Sequence, residues 1–224
     1  MQRLSVSSKT FCILGASSAI TGVLLIFISF MINPGPPPNA TLTQLVTFGQ
    51  QHIKTILWGA WLQAVGPVFI VLFSFVLVQL SGTACRISGM MTNFGANILM
   101  TVSLIEITFY ICALFPNPAG MGQIGITLIN SAQHLYFFVA APAFFIPLGF
   151  LILDSGILPR LLGYFGIAMG LTFLVLGIIS LYDLVLPMWV TLFGIIQVIW
   201  WLSSAITLIA RSGRISFPEH KAVR

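Results

Sequence analysis

Glu106 is the acidic residue whose position says most about possible chemistry in this chain. It lies within the apolar stretch GMMTNFGANILMTVSLIEITFYICAL, which covers residues 89–114. A charged carboxylate near the centre of a bilayer costs roughly 2.5 kcal/mol or more, so such a residue faces protein or water, or stays protonated. Because a residue with this energetic cost usually has a function, we take Glu106 as the centre of a candidate functional site.

His134 is the basic group best placed to act with Glu106. Glu106 lies about eight residues from the outer end of its apolar stretch, and His134 about ten from the outer end of the next. Consecutive membrane helices run antiparallel, so the two side chains fall at similar depth. We predict that they face each other, directly or through one water, as a catalytic acid/base couple.

Other polar side chains recur at helical spacing near this pair and predict a larger cluster in the outer half of the bundle. The predicted ligand-binding members are His52, Gln63, Tyr110, Asn130, Gln133 and Gln197. Three interpretations stay open: hydrogen bonding between helices, a ligand or substrate pocket, and a metal or heme site. A heme would need His52 and His134 as its two axial ligands. No CxxCH, CxxC or HExxH spacing supports one, so no cofactor is predicted.

The composition indicates that the elements carrying these residues are membrane helices. Of the 224 residues, 58% are hydrophobic and 6% are charged, against about 25% charged in an ordinary soluble domain. Six apolar stretches reach the ~20 residues that a helix needs to cross a bilayer. They predict an all-α, six-helix membrane bundle with helices near 11–32, 55–80, 89–114, 124–152, 159–181 and 187–210.

The placement of the basic residues predicts the orientation. Only Lys54 falls on one side of the predicted bundle. The other eight fall on the opposite side: Arg3, Lys9, Arg86, Arg160, Arg211, Arg214, Lys221 and Arg224. The positive-inside rule then places both termini in the cytoplasm. This gives one membrane domain over residues 1–210 and a short basic cytoplasmic tail over 211–224, and the net charge of +5 needs no nucleic-acid partner.

Two further patterns concern packing and the membrane surface. Thr41-x-x-Gln44 is typical of a capping box, and residues 41–54 have the spacing of an amphipathic helix on the outer surface. The fifth predicted helix carries glycines on one face, with Gly166-x-x-x-Gly170 allowing close approach of another helix. We expect that contact within the bundle, with a homodimer or another membrane subunit as the alternative.

The turn Ile157-Leu158-Pro159-Arg160-Leu161-Leu162-Gly163 carries a resemblance. Residues 130–180 resemble an uncharacterised family of bacterial six-helix membrane proteins, catalogued as a domain of unknown function, that has a Pro-Arg-x-Leu-Gly-like turn at this place. The resemblance implies six helices and a bacterial inner membrane. It implies no activity.

Three functions agree with these patterns. The first is a non-enzymatic binding or accessory protein with an outward-opening polar pocket for a small or lipophilic ligand. The second is a membrane-embedded enzyme that uses Glu106 and His134 on an isoprenoid, quinone or lipid. The third is a proton-coupled carrier in which Glu106 titrates. A carrier needs a polar path through Asn97 and Asn93 to the inner side, whereas a closed inner half favours the first two.

Overall fold

The structure, a computed structural model, describes residues 7–33, 40–114, 121–180 and 187–215. These residues form α-helices and one short π-helical turn, Tyr136–Ala140, and contain no strand. The α-helices are α1 Ser8–Ile32, α2 Leu42–Ser81, α3 Ile87–Leu114, α4 Met121–Leu135, α5 Ala141–Ser155, α6 Arg160–Ser180 and α7 Pro187–Arg211. Residues 1–6, the proline-rich segment 34–39, residues 115–120 and 181–186, and residues 216–224 of the predicted basic tail lie outside the described residues.

The described helices confirm the prediction of six apolar helices long enough to cross a membrane. Those spans are Ser8–Ile32, Thr43–Ser81, Ile87–Cys112, Thr127–Ser155, Arg160–Ile179 and Leu192–Arg211. The fourth consists of α4, the π-helical turn and α5 in succession. By helix length and composition, this is the architecture of a multi-pass membrane protein.

The predicted amphipathic helix at residues 41–54 is not a separate element. It forms the first turns of α2, which runs without a break for 40 residues and begins with the predicted capping box of Thr41 and Gln44. No proline lies at the predicted boundary between residues 54 and 55, so nothing in the sequence ends the helix there. Its length of about 60 Å is twice the thickness of a hydrocarbon core. Ile56 is the first side chain described as buried in α2, so the preceding turns extend beyond the packed bundle.

The fourth span is interrupted by the π-helical turn. The N–H of Ala141 donates to the carbonyl of Tyr136, five residues earlier. Pro142 follows directly. It has no N–H to donate, and its ring would clash with a carbonyl four residues earlier in a regular α-helix. One wider turn relieves that clash, and π-turns of this kind are frequent at functional sites.

Neighbouring helices pack in antiparallel pairs. In α1 and α2, Ser29 Oγ donates to the Gly59 carbonyl over 2.8 Å. In α5 and α6, a Cβ on Gly149 would lie 2.6 Å from the Gly163 carbonyl oxygen. Helix α7 closes the bundle against α1 and α6. The Arg211 guanidinium of α7 donates to the Gly156 carbonyl at the α5–α6 turn, 3.2 Å away. We call this end of the bundle, with Ser8, the α2–α3 and α5–α6 turns and Arg211, the terminal end.

The predicted glycine face of α6 packs within the chain. Gly163, Gly166 and Gly170 are buried against α5, and Gly177 is buried against the π-helical turn. A Cβ on Gly170 would lie 2.7 Å from Cγ1 of Ile146. Because the face is already filled, a second copy of the chain would have to use another surface.

Aromatic side chains fill the half of the bundle toward the terminal end. Trp200 and Trp201 are 1% and 2% exposed, and Trp200 Nε1 donates to the Leu162 carbonyl over 3.0 Å. Rings from α2 and α5 pack edge-on or tilted against this pair: Phe73, Phe144 and Phe145. Phe173 of α6 stacks on Phe145. The two tryptophans are therefore core residues, and this half of the bundle is closed.

Candidate functional site

Glu106 joins three helices through its carboxyl group. It lies on α3 and is 8% exposed. From α4, Gln133 Nε2 donates to Glu106 Oε1 over 3.1 Å, and from α2 the Gln63 side chain lies close enough to interact with the same carboxyl. Residues 106 to 114 span about 12 Å of helix, so the carboxyl lies in the half of the bundle away from the terminal end.

Two tyrosines and a third glutamine extend the polar region. Tyr110 lies one turn along α3, within electrostatic range of the Glu106 carboxyl, and Tyr136 is within range of the same group. The Tyr136 hydroxyl donates to Gln197 Oε1 of α7 over 2.8 Å. We call the six residues Gln63, Glu106, Tyr110, Gln133, Tyr136 and Gln197 the Glu106 cluster.

Tyr136 is the member that the sequence pattern did not reveal. It is the first residue of the π-helical turn, and its hydroxyl reaches the opposite side of the bundle from there. In a regular α-helix it falls about 60° from Gln133, off the predicted polar stripe. Pro142, six residues later, was the available signal, because a proline inside a helix disturbs the turn before it.

His134 is close in sequence to the cluster but does not bond to Glu106. Its Nδ1 lies 2.6 Å from the Asn130 carbonyl oxygen, one turn earlier in α4. A carbonyl only accepts, so Nδ1 is the donor in this contact. Nε2 is buried and has no hydrogen-bond partner among the described residues. The predicted direct contact is therefore replaced by the bond from Gln133, the preceding residue.

His52 lies away from the cluster. It is half-buried in the extension of α2, with its ring 4.7 Å from that of Phe48 between centroids. Eleven residues separate it from Gln63, which corresponds to roughly 16 Å along the helix axis. The two imidazoles that a bis-histidine heme would need therefore lie at different depths. Within the described part of the chain, no three His, Cys, Asp or Glu side chains group as metal ligands.

The remaining asparagines face away from Glu106. Asn130 is exposed on α4, and its backbone carbonyl, not its side chain, contacts His134. Asn97 is exposed on α3 and bonds to the Asn93 carbonyl of its own helix over 2.9 Å. A polar path from Glu106 through Asn97 and Asn93 is therefore absent from the described residues, and the aromatic core occupies that depth.

The Glu106 cluster is built for hydrogen bonding to a neutral or cationic group. It contains one carboxyl, three carboxamides and two phenols. Only neutral glutamines hydrogen-bond the carboxyl in the described structure, and no Lys or Arg pairs with it. An ionised carboxylate accepts about four hydrogen bonds, so further acceptor positions stay available beside Gln133 and Gln63.

Comparison with known proteins gives no relative from which chemistry can be carried over: no family model, curated protein or solved structure matches the chain. The geometry of the Glu106 cluster is thus the basis for any functional conclusion.

Proposed function

We propose that the protein is a non-enzymatic binding or accessory protein of a bacterial inner membrane, with both termini cytoplasmic and a pocket for a small or lipophilic ligand at the Glu106 cluster. The observation that carries the proposal is a buried carboxyl with glutamine partners and no cationic partner among the described residues. A ligand with an amine or hydroxyl group would donate to the carboxyl the hydrogen bond that no cationic side chain among the described residues supplies.

The position of the cluster supports entry from the side away from the terminal end. Glu106 is about 12 Å of helix from the far end of α3, whereas the aromatic core closes the other half. A ligand that enters and leaves by one side suits a binding protein better than a carrier. The positive-inside rule makes this side the outer one, where the extension of α2 would lie at the membrane surface.

Hydrogen bonding between helices is the rival explanation for the cluster, because polar side chains in membrane bundles also serve that purpose alone. The variant Glu106→Gln distinguishes the structural role from the ligand-binding role. Glutamine preserves the shape and one acceptor but loses the ionisable group, so a ligand site loses binding while a purely structural site loses little.

The test is to extract the protein with its surrounding lipid in polymer nanodiscs and identify co-purifying small molecules by mass spectrometry. Wild type is compared with Glu106→Gln and with Thr108→Val, a control two residues along α3 whose side chain is exposed and bonds only to the Leu104 carbonyl. A molecule retained by wild type and Thr108→Val but lost from Glu106→Gln supports the proposal. Identical molecules in all three samples contradict it.

A second candidate function is favoured by the unpartnered Nε2 of His134. If the imidazole is neutral, the Nδ1 bond to the Asn130 carbonyl leaves Nε2 with the lone pair that a general base needs, and Glu106 would be the matching acid across a bound isoprenoid, quinone or lipid. In that case wild type converts the retained molecule to a product of different mass, and His134→Gln accumulates it unchanged. Retention without conversion by wild type supports the binding protein instead.

A further inference from the structure

A lateral crevice of about 270 Å³ opens between α3 and α5 near the terminal end. It is separate from the Glu106 cluster, since Glu106 is 18 residues, or about 27 Å, along α3 from Ser88. Most of its lining is apolar. The lining residues are Ile87, Ser88, Met91, Pro147, Phe150 and Asp154.

The polar and apolar parts of the crevice are separated by depth. Ser88 is the second residue of α3, and Asp154 is the last but one of α5, so both lie at helix ends. Met91 lies about one turn further along α3, and Phe150 and Pro147 lie one and two turns further back along α5. This arrangement, polar at the rim and apolar toward the bundle centre, matches a molecule with a polar head and an apolar chain.

The two polar side chains have no hydrogen-bond or ion-pair partner among the described residues. Ser88 Oγ is buried without a hydrogen-bond partner, although buried hydroxyls are nearly always bonded. Asp154 is exposed, and no ion pair to it is found in the described residues. A hydroxyl that can donate and a carboxylate that can only accept therefore face one crevice with unused bonding capacity.

The rim also has a positive side. Helix α3 begins at Ile87, and its first N–H groups carry the positive end of the helix dipole. Arg86, directly before it, is exposed. Phosphate groups bind readily at such helix ends. The rim thus offers an anion position at the start of α3 and a cation position at Asp154.

We propose that this crevice binds one phospholipid with a primary ammonium headgroup, phosphatidylethanolamine. The ammonium group donates to Asp154, the phosphate accepts from Ser88 and the first N–H groups of α3, and an acyl chain lies along Met91 and Phe150. An anionic headgroup such as phosphatidylglycerol lacks the cation for Asp154. Phosphatidylcholine carries a cation without N–H donors, so it makes no charge-assisted hydrogen bond there.

The experiment reconstitutes purified full-length protein in nanodiscs containing equal amounts of phosphatidylethanolamine, phosphatidylcholine and phosphatidylglycerol. Native mass spectrometry then counts the lipids that stay bound to the protein after it is ejected from the nanodisc in the gas phase. Wild type is expected to retain one phosphatidylethanolamine. Asp154→Asn is expected to lower that preference about tenfold, the equivalent of one charge-assisted hydrogen bond, and Met91→Trp to abolish retention by filling the crevice.

Matched controls lie at the same end of the bundle. Ser155→Ala removes a hydroxyl that donates to the Leu151 carbonyl and accepts from the Ile157 N–H, both away from the crevice lining, and Leu161→Trp adds an indole at a side chain that is 75% exposed. Both should retain the lipid as wild type does. Equal retention of all three lipids by wild type, or an unchanged preference in Asp154→Asn, overturns the proposal. Adding soluble glycerophosphoethanolamine in excess separates binding of the headgroup alone, which would displace the lipid, from binding of the whole amphiphile.

Discussion

Replacing Glu106 with leucine should weaken the bundle measurably, because the carboxyl accepts a hydrogen bond from α4 and interacts with Gln63 of α2. The change leaves Gln133 Nε2 and the Gln63 side chain without their partner. An unpaired buried polar group costs about 1–3 kcal/mol. Both glutamines are half-buried, so water or each other can partly replace the carboxyl. We expect a total loss of about 1–3 kcal/mol in the free energy of unfolding.

Glu106→Gln is the matched comparison, since glutamine keeps an acceptor oxygen at the same position. We expect it to cost less than about 1 kcal/mol. A double-mutant cycle of Glu106→Leu with Gln133→Leu isolates the bond itself. Interhelical hydrogen bonds in a membrane protein average about 0.6 kcal/mol and reach about 1.7 kcal/mol, so we expect a coupling energy in that range.

The assay is equilibrium unfolding of the single and double variants in identical bicelles, followed through a probe placed away from the cluster. Additive effects of the two leucine substitutions would refute the bond between Glu106 and Gln133. Wild-type stability of Glu106→Leu would refute the larger account, in which one carboxyl holds three helices together.

Three further predictions concern other parts of the bundle. Tyr136→Phe should lower the free energy of unfolding by about 0.5–1.5 kcal/mol, because it removes the hydroxyl bond to α7. The control Tyr164→Phe, at a 61% exposed side chain, should change the free energy of unfolding by less than about 0.5 kcal/mol. Equal melting temperatures for the two variants would contradict the bond. Gly95→Ala should lower the free energy of unfolding by about 1–3 kcal/mol, because the added Cβ would overlap backbone atoms of α5. Gly194→Ala, whose Cβ would have nothing within 4 Å, should be neutral or slightly stabilising. Thermal melting distinguishes the two variants, and two neutral variants would rule out the close α3–α5 contact. A variant whose only cysteine is the exposed Cys85 should react with an impermeant maleimide only after the cells are opened, since the positive-inside rule makes this turn cytoplasmic; labelling of intact cells would reverse the orientation.

The apolar stretches predicted the spans well because hydrophobic length is the main determinant of a membrane helix. Boundaries between helical segments were harder to predict. The start of α2 at the capping box was correct. The change from an amphipathic to an apolar pattern near residue 55 was interpreted as a boundary between two elements, although no helix-breaking residue lies there. The π-helical turn depends on how Pro142 relieves its backbone clash, and hydrophobic periodicity does not reveal that choice.

The site was predicted in part for a related reason. Helical spacing and depth predicted Gln63, Glu106 and Gln133 near one another, and the structure has Gln133 bonded to Glu106 with Gln63 close by, because α2, α3 and α4 are sequential neighbours. They could not distinguish Gln133 from His134, which are adjacent in sequence and differ by about 100° around the helix. The rotation of α4 about its own axis decides which of them meets Glu106, and that rotation depends on packing against the whole bundle.

The most direct test of the central claim is to titrate the molecule that co-purifies with wild type back onto delipidated wild type, Glu106→Gln and Thr108→Val, and to measure affinity and unfolding midpoint on the same samples. If the Glu106 cluster is a ligand site, Glu106→Gln should bind at least about tenfold more weakly, the equivalent of one hydrogen bond to a charged group, with nearly unchanged stability, while Thr108→Val matches wild type in both. Full affinity and unchanged stability in Glu106→Gln would contradict the claim.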